Sequence, residues 1–105
     1  MVKYKKVQDS QRFSVIHNMD YCICCGKPRE HIHEVFFGIN REASKAYGMC
    51  VGMCLKHHDM VHNHKKLKPS DIDDLDLRLK KMSQEIFERE HSREEFIEVF
   101  HENYL

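Results

Sequence analysis

The sequence predicts a small α+β domain in which a metal-braced β-hairpin and helix are followed by a C-terminal helical extension. Three observations carry that expectation. Five cysteines and nine histidines are present, and all but His91 and His101 fall between His17 and His64; these are the ligand types that zinc and its neighbours prefer. The stretches His31–Phe37 and Met49–Met53 read as two strands separated by a loop. Beyond Pro69, apolar residues recur at helical spacing behind cap-forming serines at Ser70 and Ser92.

Length and composition set the scale. A chain of 105 residues with 41% hydrophobic residues, 32% charged residues and no Trp builds one domain with a modest core, and domains of this size often need a metal or covalent staple. The odd cysteine count argues against disulfides alone. Met1-Val-Lys-Tyr-Lys-Lys6 lacks the apolar run of a signal peptide, and no stretch approaches membrane-spanning length. The expectation is a soluble cytoplasmic protein with no membrane association, in a reducing compartment where CxxC signals metal or redox chemistry. The net charge of zero conceals an asymmetry: residues 1–70 carry 12 Lys/Arg against 6 Asp/Glu, and residues 71–105 carry 5 against 11. The basic part suits nucleic acid, whereas the acidic part should lie away from it or contact another protein.

Residues 1–20 read as a solvated basic arm with a short strand or helical turn at Phe13-Ser-Val-Ile16. Residues 21–68 form the core. Within it, Cys22-Ile-Cys-Cys25-Gly26-Lys27-Pro28 is a knuckle: two thiolates spaced by two residues reach one metal, Gly26 lets the backbone turn beneath it, and Cys24 points away. The redox alternative requires CxxC at a helix start in a βαβ setting, and no such alternation of elements is present. In the first strand His31 and His33 share one face, with Ile32 and Glu34 on the other. Gly38–Arg41 is a loop, and Ser44 to Tyr47 form one helical turn ended by Gly48. The second strand runs into Cys54, and a helix from Leu55 to about His64 carries His58 and His62 on one face. Pro69 ends this unit. Residues 69–105 are helices packed on the core: one from about Asp71 to Arg89 with a stripe of Ile72, Leu75, Leu79, Met82, Ile86 and Phe87, and a short one opened by the capping box Ser92-Arg-Glu-Glu95. The glycines are too scattered for a phosphate loop.

Two metal sites follow from the ligand spacing. Cys22 and Cys25, followed after 28 intervening residues by Cys54 and His57, supply two matched pairs for a closed, structural tetrahedral Zn2+. Cys50 competes with His57 for the fourth place, and the sequence leaves that choice open. His58 and His62 then face elsewhere, and His33 completes a second set with open positions for water and a phosphate oxygen, suited to a divalent ion. Glu34, beside His33, is the candidate base for an attacking water, a placement that requires a twisted or bulged strand because adjacent strand residues face opposite ways.

Cys22-x-x-Cys25-Gly26, His33-Glu34, Cys54-x-x-His57-His58 and His62 together resemble the HNH endonucleases of the ββα-metal (His-Me finger) superfamily. More narrowly, His33-Glu-Val-Phe-Phe-Gly-Ile-Asn-Arg41, Lys45-Ala-Tyr-Gly48 and Phe100-His-Glu-Asn-Tyr-Leu105 are similar to small HNH-like proteins of phages and prophages. The resemblance spans residues 20–105. It implies a hairpin and helix around a catalytic ion, braced by a zinc knuckle. His33 takes the place of the ligand in the paired strand motif, Glu34 the place of the general base, and His58 and His62 the places of the helical ligands. Two departures fall on catalytic positions: Glu34 stands where the family usually has histidine, and the middle asparagine has no clear match. Glutamate can act as a base or as an extra metal ligand.

The function expected is therefore a metal-dependent DNA endonuclease, nicking or cutting both strands, with structural Zn2+ and a catalytic Mg2+, Mn2+, Ni2+ or Zn2+. Arg41, Lys56, Lys65 and Lys66 are its candidate phosphate contacts, alongside Lys3, Lys5, Lys6 and Lys27. The alternative is a catalytically impaired zinc module that binds nucleic acid or a phage packaging or replication protein. A third reading is a purely structural interaction protein.

Overall fold

A computed structural model describes residues 4–62 and 75–105. His64, Lys65, Lys66, the break at Pro69, the cap at Ser70 and Ile72 lie outside the described residues. Within them the order is β1 (His31–Glu34), α1 (Arg41–Ala46), β2 (Cys50–Met53), α2 (Leu55–His62), α3 (Leu75–Phe87) and α4 (Arg93–Phe100), with 3-10 turns at Asp9–Gln11 and Gly38–Asn40. The protein is thus mixed helix and strand. No described helix is long and apolar enough to cross a membrane.

The strands pair antiparallel in the register His31↔Met53, Ile32↔Gly52, His33↔Val51, Glu34↔Cys50. Alternation along both strands therefore puts His31, His33, Val51 and Met53 on one face and Ile32, Glu34, Cys50 and Gly52 on the other. Helix α2 lies against the first face, where the rings of His31 and His33 meet that of His58. The N-terminal segment crosses the second face. Gly52 N–H donates to His17 Nε2 at 3.0 Å, and Gly52 O accepts from Ile23 N–H at 2.9 Å. A Cβ at residue 52 would run into the backbone carbonyl oxygens of Met19 and Tyr21, so only glycine fits there. Val15 N–H donates to Gly48 O at 3.0 Å, and Arg12 Nη1 bonds Glu34 at 2.8 Å. The expected solvated arm is, from Asp9 onward, a strap laid along the hairpin.

The first strand is shorter than its sequence pattern. The regular strand ends at Glu34, with one further in-register hydrogen bond from Val35 N–H to Met49 O at 3.0 Å, and Val35 and Phe36 are both completely buried. The buried Ser44 hydroxyl takes over the backbone of Phe36, accepting from its N–H at 3.0 Å and donating to its carbonyl at 2.6 Å. Ser44 can do this because α1 begins at Arg41, three residues before the expected turn. The ring of Phe36 is the anchor for the C-terminal helices, lying 4.4 Å from Phe100 and 5.4 Å from Phe96 between centroids.

In α4, Ser92 Oγ accepts from Glu95 N–H at 3.0 Å, as the capping pattern predicts. The Glu95 carboxylate turns instead to His91, at 2.8 Å. Helix α3 buries Leu79 and Phe87 of the expected stripe, packs Leu75 and Met82 against the core partly buried, and also buries Ser83 and Gln84. Gln84 is inside for a reason: its amide donates to Asn103 Oδ1 at 2.8 Å and accepts from Tyr104 N–H at 2.8 Å, pinning the segment after α4.

Candidate metal centres

The knuckle is shaped by its backbone. Gly26 N–H donates to Cys22 O at 2.9 Å, Cys22 N–H donates to Lys27 O at 2.7 Å, and Gly26 takes a φ of 74° that favours glycine. Tyr21 and Pro28 close the loop with an antiparallel bridge. This turn aims Cys22 and Cys25 at the start of α2, where Cys54 and His57 sit three residues apart. The four donor atoms lie within 4.8 Å of one another, and this cluster could hold a metal ion. Cys25 Sγ is 3.8 Å from Cys54 Sγ, and His57 Nδ1 is 3.7 Å from Cys22 Sγ and 3.1 Å from Cys54 Sγ. With Zn–S near 2.3 Å and Zn–N near 2.0 Å, a tetrahedron requires about 3.8 Å between sulfurs and about 3.5 Å from sulfur to nitrogen. The donor set is therefore compatible with zinc. Burial pushes the Cys22 thiol up, but backbone hydrogen bonds at Cys54, Cys24 and Cys25 outweigh it and hold the thiol at about 6.

Cys24 and Cys50 fall outside this group. Cys24 is exposed. Cys50 is fully buried on the face of β2 that meets Glu34, with Ser44 O 4.0 Å from its sulfur, and burial pushes its thiol up to about 12. The competition left open by spacing falls to His57.

The second cluster joins β1 to α2. His33, His58 and His62 also bring donor nitrogens within 4.8 Å of one another. His58 Nε2 and His62 Nε2 are 3.1 Å apart, between the ~3.0 Å of cis ligands in an octahedron and the ~3.4 Å of a tetrahedron at a metal–nitrogen distance near 2.1 Å. His33 is 2% exposed, and its Nε2 is buried with no hydrogen-bond partner among the described residues. An orphaned buried polar atom carries a desolvation cost that a bound ion or water removes. Burial, reinforced by His62, His58 and Lys80, lowers His33 to about 3, which keeps its imidazole neutral and able to ligate. His58 is lowered as well, first by burial and then by His62 and His31.

Side chains that spacing does not reveal frame this cluster. Phe37 lies 5.8 Å from His33 and 5.2 Å from His62, and Lys80 Nζ sits 4.6 Å above the Phe37 ring. His31 stacks on His58 at 4.8 Å. The period-two reading placed His31 on the right face, but nothing local announced the Lys80 contact, which comes from α3.

Glu34 is placed differently from the expectation. The strand register runs without a bulge through residue 34, so its carboxylate lies on the face opposite His33. There it accepts from Arg12 Nη1 at 2.8 Å and lies 3.4 Å from Arg41 Nη2. Arg41 is likewise engaged, donating to both carboxylate oxygens of Asp9 at 3.0 Å. Lys56 is exposed at the start of α2, while Lys65 and Lys66 lie outside the described residues. Asn40, too early for the family's middle asparagine, instead donates to Phe100 O at 2.9 Å and fixes the loop after β1.

Comparison with protein-family models, with characterised proteins and with solved structures found no match to this chain.

Proposed function

We propose that the protein is a metal-dependent phosphodiester hydrolase of HNH type acting on DNA, with a structural Zn2+ held by Cys22, Cys25, Cys54 and His57. The observation that carries the reading is the orphaned Nε2 of His33, buried where two helical imidazoles converge from α2. Three imidazole nitrogens leave coordination positions free, unlike the closed Cys/His set. A divalent ion held there, Mg2+, Mn2+, Ni2+ or Zn2+, would supply Lewis-acid stabilisation of a phosphoryl oxygen and of a leaving 3′ oxygen. The chain's own part is to present His33 from β1, to hold His58 and His62 one turn apart, and to set the Phe37 ring against His33 and His62. Glu34 is the candidate base, one residue from His33, but its carboxylate faces the other side of β1, so it acts only if it is released from Arg12 and Arg41 and the strand twists to bring it round.

That last condition favours a second reading, in which the same scaffold binds nucleic acid, or a phage packaging or replication protein, without cutting. The ion pairs on Glu34 are the observation behind it. Plasmid nicking with each of the four ions, in wild type, His33→Ala and His58→Ala, separates the readings. Hydrolysis predicts metal-stimulated nicking that both substitutions abolish. No metal-stimulated nicking with any of the four ions, or nicking indifferent to both substitutions, sinks the hydrolase.

A further inference from the structure

The second face of the hairpin carries an ion-pair group that the proposed chemistry does not use. Asp9 sits in a 3-10 turn with no buried residue, and its side chain is 58% exposed. Arg41 grips it with one nitrogen on both oxygens at 3.0 Å, and Lys45 Nζ donates to it at 2.8 Å. Lys45 is the unusual member, because its side chain is only 5% exposed. A lysine so buried needs anions within reach, and it has Asp9 and, at 3.1 Å, Glu42. The four groups line an open cavity of about 520 Å³ together with Lys6. Three cations there face Asp9 and Glu42, and Arg41 also lies 3.4 Å from Glu34; without Asp9, Lys45 would keep Glu42 alone.

We infer that Arg41 and Lys45 form a phosphate-binding subsite that Asp9 closes in cis, its carboxylate standing in for a phosphodiester. Both anions carry a single negative charge and present two oxygens to a guanidinium, so exchange leaves the charge on the buried Lys45 matched. The holder differs from the held: Arg41 and Lys45 stand on α1, whose Ser44 is locked into the core, whereas Asp9 sits on an exposed turn. A competitor therefore displaces Asp9 without disturbing the cations. Arg12 Nε bonds the Asp9 carbonyl at 2.9 Å while its Nη1 bonds Glu34, so lifting Asp9 also withdraws the closest partner of Glu34. That consequence, and nucleic acid as the source of the phosphate, rest on the hydrolase reading; the subsite itself does not.

The test uses the full chain carrying His58→Ala, which disables the open metal centre and keeps the two readings apart. Anisotropy of a short fluorescein-labelled duplex is measured across a salt series. Asp9→Asn should bind about two- to fivefold tighter, the worth of one exposed ion pair removed from competition. Its salt dependence should steepen by about 0.9 in log–log slope, one extra phosphate contact. Adding Arg41→Gln to Asp9→Asn should cancel both gains. Unchanged or weaker binding with an unchanged slope overturns the subsite and leaves the group as a structural clasp. Inorganic phosphate is the second arm: if it protects Asp9→Asn against heat as well as the duplex does, the subsite stands and its nucleic-acid source falls. Should Asp9→Asn fail to fold, hydrogen exchange on the His58→Ala parent decides. Saturating duplex must then speed exchange at the Gln11 and Arg12 amides, which bond Gln8 O and Asp9 O; no change overturns the inference.

Discussion

The two histidine-bearing clusters share helix α2 but differ in how their donors are supplied. The Cys/His set draws on a turn and on the first residues before and within the helix, and its donor atoms are gathered closely enough to be compatible with a four-coordinate ion. The three-histidine set spans a strand and the later turn of the same helix. It retains one donor wholly inside the protein and two at least partly in solvent: His33 is 2% exposed, His58 is half-buried and His62 is exposed. A closed set spends every coordination position on the fold. An open one leaves positions for other chemistry, at the expense of an unsatisfied nitrogen when no ion is bound. One cluster is expected to hold the domain together and the other to be dispensable for folding.

The sharpest way to break this contrast is to remove one donor from each. Cys54→Ser should release the structural metal and abolish the cooperative thermal transition, since structural zinc contributes on the order of 10 kcal/mol to small domains at neutral pH. His58→Ala should leave that transition within about 1 kcal/mol of wild type, because the residue is partly exposed and its main neighbours are other histidines. Metal analysis should count one tightly held ion in His58→Ala and none in Cys54→Ser. If His58→Ala unfolds as Cys54→Ser does, the division of duties is wrong.

Acid separates the clusters more gently. His33 has a folded value of about 3 against an ordinary 6.5. Its neutral form is favoured by the native state, so the stability it contributes is complete above 6.5 and is lost as the pH falls toward 3. A span of this size is worth on the order of 5 kcal/mol. Protein dialysed free of weakly held ions should therefore lose stability in urea from pH 6.5 downward, and His33→Phe, which cannot charge, should flatten that part of the profile. Excess Ni2+ should shift the onset to lower pH by competing with protons for the same nitrogens. A wild-type profile flat between pH 6.5 and 4 would show that His33 is not held neutral.

How far the sequence speaks for each cluster follows from the range of its contacts. Cys22 with Cys25, Cys54 with His57 and His58 with His62 are local pairs, set by turn and helix geometry, and all three were legible. His33 was legible because a strand alternates faces. The role of Glu34 was not. Its partners, Arg12 and Arg41, lie 22 residues before it and 7 after it, Arg12 brought there by a strap that reads in isolation as a solvated arm and Arg41 by the start of α1. Gly52 was the available signal, since a glycine in mid-strand often marks a close backbone crossing, and here Met19 and Tyr21 supply it. Ser44 and Gln84 were hidden for a related reason: buried polar residues announce themselves only once the backbone they satisfy, at Phe36 and Tyr104, is in place.

Glu34→Gln sharpens the comparison with the least disturbance to either cluster. The amide keeps the shape and can still accept from Arg12, so the fold should change by no more than about 1 kcal/mol and both metal counts should be unaltered. If the carboxylate is the base, nicking falls by about 10²- to 10⁴-fold with the ion still bound. If it is only an anchor for Arg12, nicking is retained, and the strap before Phe13 becomes more susceptible to limited proteolysis as its charged partner is lost. Arg12→Gln separates the roles from the other side: it removes the nearer of the two guanidinium partners and leaves Arg41 at 3.4 Å, so a base is strengthened or unaffected while an anchor fails. Loss of nicking in both variants would place the strap, rather than the carboxylate, in control of the site.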